Sequence, residues 1–189
     1  MAKKTIKPST GLMLTPLVLV TCQAKGERAN IITLAWIGVA NSDPPMISIA
    51  IRPERYSYNI IKNTGEFVAN LPTTAILREM DYCGVVSGSK ADKFAETKLT
   101  PVAAEQVKAP LIRECPVNLE CRVKQVLSLG SHDLFLGEIV AMHVDEEMQN
   151  EKGRMDIQKA RPVAFSPAAG EYWSLGERVG GYGFTKGKL

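Results

Sequence analysis

The stretch Leu17–Ala24 reads LVLVTCQA, a run of apolar and β-branched residues that predicts a strand. Lys25-Gly26-Glu27-Arg28 supplies turn residues, and the apolar positions resume over Ile31–Trp36 as a second strand. Ile37–Ser42 leads to the Asp43-Pro44-Pro45 break. Met46–Arg52 comes next as a third strand, its weak alternation fitting burial on both faces. A short helix continues through Tyr58–Lys62 and stops near Gly65. Glu66–Leu71 predicts a strand ended by Pro72. Thr73-Thr74 then caps a helix running to about Tyr82, with Glu79 and Asp81 on its polar face. Gly84 to Lys93 is a loop with Gly and Ser turn residues, and Asp92-Lys93-Phe94 opens another helix. Leu99 to Pro110 is an irregular connection punctuated by proline. Asn118–Ser128 alternates, with Leu119, Cys121 and Val123 on one face and Glu120, Arg122 and Lys124 on the other. His132–Asp145 matches it across the Leu129-Gly130-Ser131 turn, making a long hairpin. Glu146 to Lys159 is polar and expected to be exposed. The tail from Pro162 is rich in Gly and aromatics, including Tyr172, Trp173, Tyr182 and Phe184.

Six or more strands, mostly joined by hairpins, with two or three short helices, predict a mainly β fold: a closed or partly closed β-barrel. The βαβα alternation of a parallel sheet is absent, as is a GxGxxG after a strand. The chain therefore lacks a Rossmann-type dinucleotide site of its own. At 189 residues it is expected to form a single domain, with a core over about 10–165 and a C-terminal tail over 166–189.

Composition narrows the function classes. A net charge of +3 is too mild to argue for nucleic acid, and the basic clusters lie at the ends, at Lys3, Lys4 and Lys7 and at Lys186 and Lys188. The N-terminal GLMLTPLVLVTC comes after those lysines as a signal peptide would. Thr15 and Pro16 split the apolar run, however, no small-x-small cleavage site follows, and Val20-Thr21-Cys22 is a poor lipobox. No stretch reaches the ~20 apolar residues of a membrane span. A cytoplasmic protein without membrane association is expected. Cys22, Cys83, Cys115 and Cys121 show no CxxC spacing, and the two histidines, His132 and His143, are far apart, so no zinc site is expected. The cysteines read as small buried hydrophobes. Cys83 stands apart because YCGVVSGSK sets it beside a Gly- and Ser-rich loop. His143, inside an apolar strand, reads as structural.

The chemistry concentrates between Asn30 and Ile61. Asn30, Thr33 and Trp36 interrupt the first apolar run, and Arg52, Arg55 and Ser57 cluster where a strand gives way to a helix. Hydroxyls, helix-start N–H groups and two guanidiniums suit a phosphate monoester, and a Trp beside them offers a wall for a flat ring. A flavin mononucleotide has that combination.

Several blocks occur in a specific order: NIITLAW, DPPMISIAIRPERYSYNIIKNTGEFVANLP, SGSKADKF, LTPV, APLI, NLECRV and HDLFLGEIV. Their order and spacing over roughly Pro16 to Asp145 resemble the flavin reductase-like family of FMN-binding split β-barrels. The tail EYWSLGERVGGYGF is more similar to the flavoredoxin branch. The resemblance implies a Greek-key-like split barrel and a homodimer with FMN at the subunit interface. It places Asn30, Thr33, Leu34, Ala35 and Trp36 along the isoalloxazine and ribityl chain, and Arg52, Arg55 and Ser57 on the phosphate. It also puts Asn70 and Leu71 at a strand end that meets the ligand, and Ser87, Gly88, Lys90, Lys93 and Phe94 in a loop beside it. His132 matches a histidine near the flavin face where nicotinamide stacks, and is the one candidate proton donor. One departure is Ile37-Gly38-Val39, where many reductases carry Ser-rich residues after the Trp.

The function implied by this resemblance is that of an oxidoreductase passing electrons from NADH or NADPH through bound FMN to free flavin, ferric iron or a protein. The alternative is a flavoredoxin-type FMN carrier reduced by a partner redox protein. A distant barrel relative, such as a pyridoxamine-phosphate oxidase, ranks last because its phosphate-binding pattern differs. Hydride transfer to a flavin needs no acid–base residue, which accounts for the lack of a triad or carboxylate pair in the sequence.

Overall fold

The structure is a computed structural model and describes residues 1–186; Lys188 of the basic C-terminal end lies outside them. In chain order the strands are β1 (Thr15–Pro16), β2 (Val18–Cys22), β3 (Asn30–Leu34), β4 (Ile37–Ser42) and β5 (Pro45–Ile51). Helix α1 (Tyr56–Thr64) leads to β6 (Glu66–Leu71), then to α2 (Leu77–Val85) and α3 (Lys93–Thr97). The short β7 (Pro101–Val102) and β8 (Leu111–Ile112) precede the long β9 (Val117–Ser128) and β10 (Asp133–Val144). Helix α4 (Ile157–Ala160), β11 (Val163–Ser166) and β12 (Glu171–Ser174) complete the described elements.

Seven strands form one curled antiparallel sheet in the order β3-β2-β6-β9-β10-β5-β4, a split barrel of mainly β character. The β2–β3, β4–β5 and β9–β10 hairpins are the ones that the turn residues mark out. Helix α1 ends where the sequence says it should. Gly65, at φ 70°, adopts the left-handed conformation that a residue with a Cβ resists, and its N–H closes on the Ile61 carbonyl. The sheet curls around Phe67, Phe135, Ile49, Ile51 and Ile61, all buried. A second cluster, with Leu19, Ile31, Met80, Cys83 and Ile112, fills the space between the sheet and α2. All four cysteines are buried free thiols.

Three details depart from the sequence pattern. Glu120, placed by alternation on the polar face of β9, is fully buried. The loop before β8 folds over that face, and the carboxylate accepts the N–H groups of Glu105, Gln106 and Val107 at 2.6–3.0 Å and bonds His143 Nε2 at 2.6 Å. Satisfied this fully, a charge is tolerated in the interior. The aromatic tail is not irregular throughout: β11 and β12 pair with β1 in a separate three-stranded sheet. Ile37–Ser42, read as a lead-in to a break, is itself a paired strand. No helix among the described residues is long and apolar enough to cross a membrane.

Candidate functional site

Several element ends converge on one cavity of about 430 Å³. The end of β3 contributes Thr33 and Leu34, continued by Ala35 and Trp36, and the end of β5 contributes Ala50 and Ile51, continued by Arg52. Arg55 stands at the start of α1, Gly84 and Val85 at the end of α2, and His132 at the start of β10. Phe165 and Tyr172 of the small sheet close one side. A volume of this size lies within the roughly 300–1,000 Å³ of small-molecule sites. Its walls are largely apolar; Arg52 and Arg55 supply positive charge, and Glu54, 3.7 Å from Arg52, supplies one carboxylate.

The start of α1 is built to receive an anion. Arg55 is its N-cap in an extended conformation, with no side-chain capping hydrogen bond, and the first turn carries no acid. The Arg55 and Tyr58 N–H groups bond the Arg52 and Arg55 carbonyls at 2.9–3.0 Å, while the Tyr56 and Ser57 N–H groups and the positive end of the helix dipole have no side-chain cap. The opposite polarity is handled at the end of α2. Thr33 Oγ1 donates to the Met80 carbonyl at 2.5 Å, Lys93 Nζ to the Cys83 carbonyl at 2.8 Å, and Arg55 to the Gly84 carbonyl. Two cations and a hydroxyl thereby satisfy the negative end of the helix.

Lys93 is buried, and its amine also donates to the Ile31 carbonyl at 2.7 Å. Burial without a carboxylate partner pushes its pKa down to about 8. The side chain braces the wall from behind and does not line the cavity, and Phe94 likewise packs against the second core cluster. Asn30 and Ser57 are buried together, Asn30 Nδ2 donating to Ser57 Oγ at 2.8 Å. Gly88 lies directly over that pair: a Cβ there would come within 2.1 Å of Asn30 Oδ1 and 2.6 Å of Tyr56 Cδ1. Only glycine lets the loop approach so closely, and Arg28 pins it by donating to the Gly88 carbonyl at 2.7 Å. Ser87 and Lys90 sit on the outer part of this loop.

Asn70 and Leu71 lie apart from the cavity lining. Asn70 is fully buried and ties four segments together, donating to the Leu19 carbonyl and accepting from Ile112 N and Asn118 Nδ2 at 2.8–2.9 Å. Leu71 packs against the main core. Cys83 is fully buried, and burial pushes its thiol up to about 11. His143 serves Glu120, as an apolar-strand histidine should.

At the mouth, the rings of Trp36 and His132 stack with centroids 5.7 Å apart and planes within 7°. Burial and then the Arg52 charge hold the imidazole below its ordinary pKa, with Glu54 partly opposing them. The ring is therefore mainly neutral at pH 7. The cavity thus brings together Thr33, Leu34, Ala35, Trp36, Arg52, Arg55 and His132 of the residues singled out in the sequence. Leu17, Ala50, Ile51 and Glu54 also line it, and so do Gly84, Val85, Phe165 and Tyr172. YCGVVSGSK and the aromatic tail carry a signal for the last four, but no spacing rule connects the two segments.

Residues 10–166 match the family described as the flavin reductase like domain. The chain is similar in structure to the flavoredoxin of Desulfovibrio vulgaris (Miyazaki F), with a TM-score of 0.92 and 36% identity over 98% of this chain and 100% of that one. It is also similar to a flavoredoxin from Methanosarcina acetivorans, with a TM-score of 0.88 and 32% identity over 98% of each chain. An uncharacterized protein of Archaeoglobus fulgidus is 38% identical over 69% of this chain and 73% of its own length. The chain belongs to the flavin reductase like family.

Proposed function

We propose that the protein is an FMN-binding oxidoreductase that passes electrons from NADH or NADPH through the bound flavin to an acceptor: free flavin, ferric iron or a protein. The observation that carries this reading is the cavity itself. An apolar slot of about 430 Å³ ends at an uncapped helix start flanked by Arg52 and Arg55. That donor set fits an FMN, with cations and N–H groups for a phosphate dianion and apolar walls for a ring. A bound flavin would supply acceptance of a hydride and release of electrons singly or in pairs.

The chain's own residues do the rest. Arg52, Arg55 and the first N–H groups of α1 hold the phosphate, helped by Ser87 and Lys90 from the neighbouring loop. Leu34, Ala35 and Ile51 exclude water from the ring. Asn30, Ser57, Gly88, Lys93 and Phe94 keep the walls in place, and Asn70 and Leu71 keep the sheet behind them. His132 holds Trp36 over the mouth and presents a neutral imidazole edge to an incoming nicotinamide. The homodimer belongs to the same reading. Trp173, Leu175, Val179, Tyr182 and Phe184 are all exposed on the tail, as are Leu12, Met13 and Leu14 near the start, and a second copy would cover such surface.

The likeness to flavoredoxins, one of them over the full length of that chain, favours a second reading: an FMN carrier reduced by a partner protein. Anaerobic mixing of the FMN-loaded protein with NADH and with NADPH decides between them. Rapid bleaching of the flavin absorption supports the enzyme. Bleaching only when a reduced protein partner is added contradicts it and supports the carrier.

A further inference from the structure

The Tyr172 ring stands between two spaces. On one side is the cavity of about 430 Å³, and on the other a depression of about 520 Å³ alongside α2 and α3. Val85 and Tyr172 are the residues that line both. Tyr172 is held from three directions. Its backbone is paired with Phe165 in the β11–β12 ladder, and its ring leans on the Phe165 ring at 5.6 Å and 49°. Its hydroxyl donates to Asp81 Oδ1 on α2 at 2.6 Å.

The positive end of the cavity abuts this partition. Arg55 donates to the carbonyl of Gly84, the residue before Val85. Beyond the partition the charge reverses: Glu79, Asp81 and Glu96 line the depression against the single cation Arg78. A ligand held at Arg55 by a terminal phosphate meets Val85 and the Tyr172 ring. One that continues past its phosphate would need the space behind that ring, and would carry a diphosphate into a field of carboxylates.

We propose that Tyr172 sets the flavin specificity of this cavity, acting with Val85 as a wall that admits the mononucleotide and rejects the dinucleotide class. The inference rests on the flavin reading above. Wall and charge act in the same direction, so discrimination needs no contact with an adenine.

The test is a fluorescence titration of the flavin-free full chain with FMN and with FAD, for the wild type, Tyr172→Ala and Tyr172→Phe. Hydrogen exchange of amides 171–174 is followed in the same three proteins. Tyr172→Ala should narrow the preference for FMN over FAD by about tenfold, through tighter FAD binding. Tyr172→Phe keeps the ring and should keep most of the preference, while amides 171–174 exchange up to ~10-fold faster for want of one hydrogen bond. Asp81→Ala, an exposed change on α2, removes the acceptor of the Tyr172 hydroxyl together with a repelling charge, and should narrow the preference by a smaller factor even if the Tyr172→Ala variant does not fold. Wild-type discrimination retained in Tyr172→Ala, or in Asp81→Ala where Tyr172→Ala does not fold, overturns the role of Tyr172 alone. A wild type that binds neither flavin overturns the flavin reading and this inference with it.

Discussion

The imidazole of His132 lies parallel to the indole of Trp36, with ring centroids 5.7 Å apart. The pair joins the start of β10 to the segment after β3 across the mouth of the cavity, two places far apart in the sequence. Burial and Arg52 hold the imidazole below its ordinary pKa, so the stack adds little positive charge beside Arg52 and Arg55.

Removing that ring should affect the approach of a nicotinamide more than the hold on FMN. His132→Ala is expected to slow flavin bleaching by NADH or NADPH roughly 10–100-fold in single turnover, with FMN affinity nearly unchanged. Bleaching at the wild-type rate from about pH 6 to 9 would make His132 a surface residue without a part in the reaction.

Lys93 should leave a mark on stability against pH. Its folded pKa of about 8 lies below the ordinary 10.5, so the folded state holds the proton less tightly. Below pH 8 both states are protonated and the full cost of the buried cation is present. Between about 8 and 10.5 only the unfolded chain keeps the proton, so stability rises with pH there. Urea unfolding at both ends of that window should show this rise in the wild type and its loss in Lys93→Met. Equal slopes would place the amine in water.

Glu120 behaves in the opposite sense. Burial alone would raise its pKa, but the N–H groups of Glu105, Gln106 and Val107 together with His143 outweigh it and hold the carboxyl below its ordinary value. Its contribution is present above about pH 4.5 and fades as the pH falls through the lowered folded value. Glu120→Ala leaves the buried Val107 N–H, the more exposed Glu105 and Gln106 N–H groups and the partly exposed His143 without their acceptor, and should cost about 1–3 kcal/mol in denaturant unfolding at neutral pH. A loss under about 1 kcal/mol would mean that the loop re-forms without it.

Much of the architecture is legible in the chain. Gly65 and Pro72 bracket β6, and the period-2 pattern gives both strands of the β9–β10 hairpin. The positions of Trp36, Arg52, Arg55 and His132 around one cavity are legible only through the order of the blocks. The features that stay hidden depend on distant partners. Glu120 looks solvent-facing because the loop that covers it is invisible to strand periodicity. Lys93 looks like a loop cation because its acceptors are carbonyls of β3 and α2. Tyr172 looks like one aromatic of a glycine-rich tail until Asp81 and Phe165 are placed beside it.

The exposed aromatic and aliphatic residues of the tail should be covered by a second copy. Light scattering of the FMN-loaded protein is expected to give twice the chain mass of 20.6 kDa at micromolar concentration. A holo monomer would contradict the dimer and leave Trp173 and its neighbours to another partner.

If the cavity holds an FMN by its phosphate at Arg55, parallel titration with FMN and riboflavin will separate the phosphate from the ring. The wild type should bind FMN the more tightly of the two. Arg55→Ala should weaken FMN by about 1.5–3 kcal/mol, the scale of a hydrogen bond to a charged group, with a much smaller loss for riboflavin. Equal losses for the two ligands would place Arg55 in the fold, through its bond to Gly84, and no binding of either by the wild type would contradict the flavin reading as a whole.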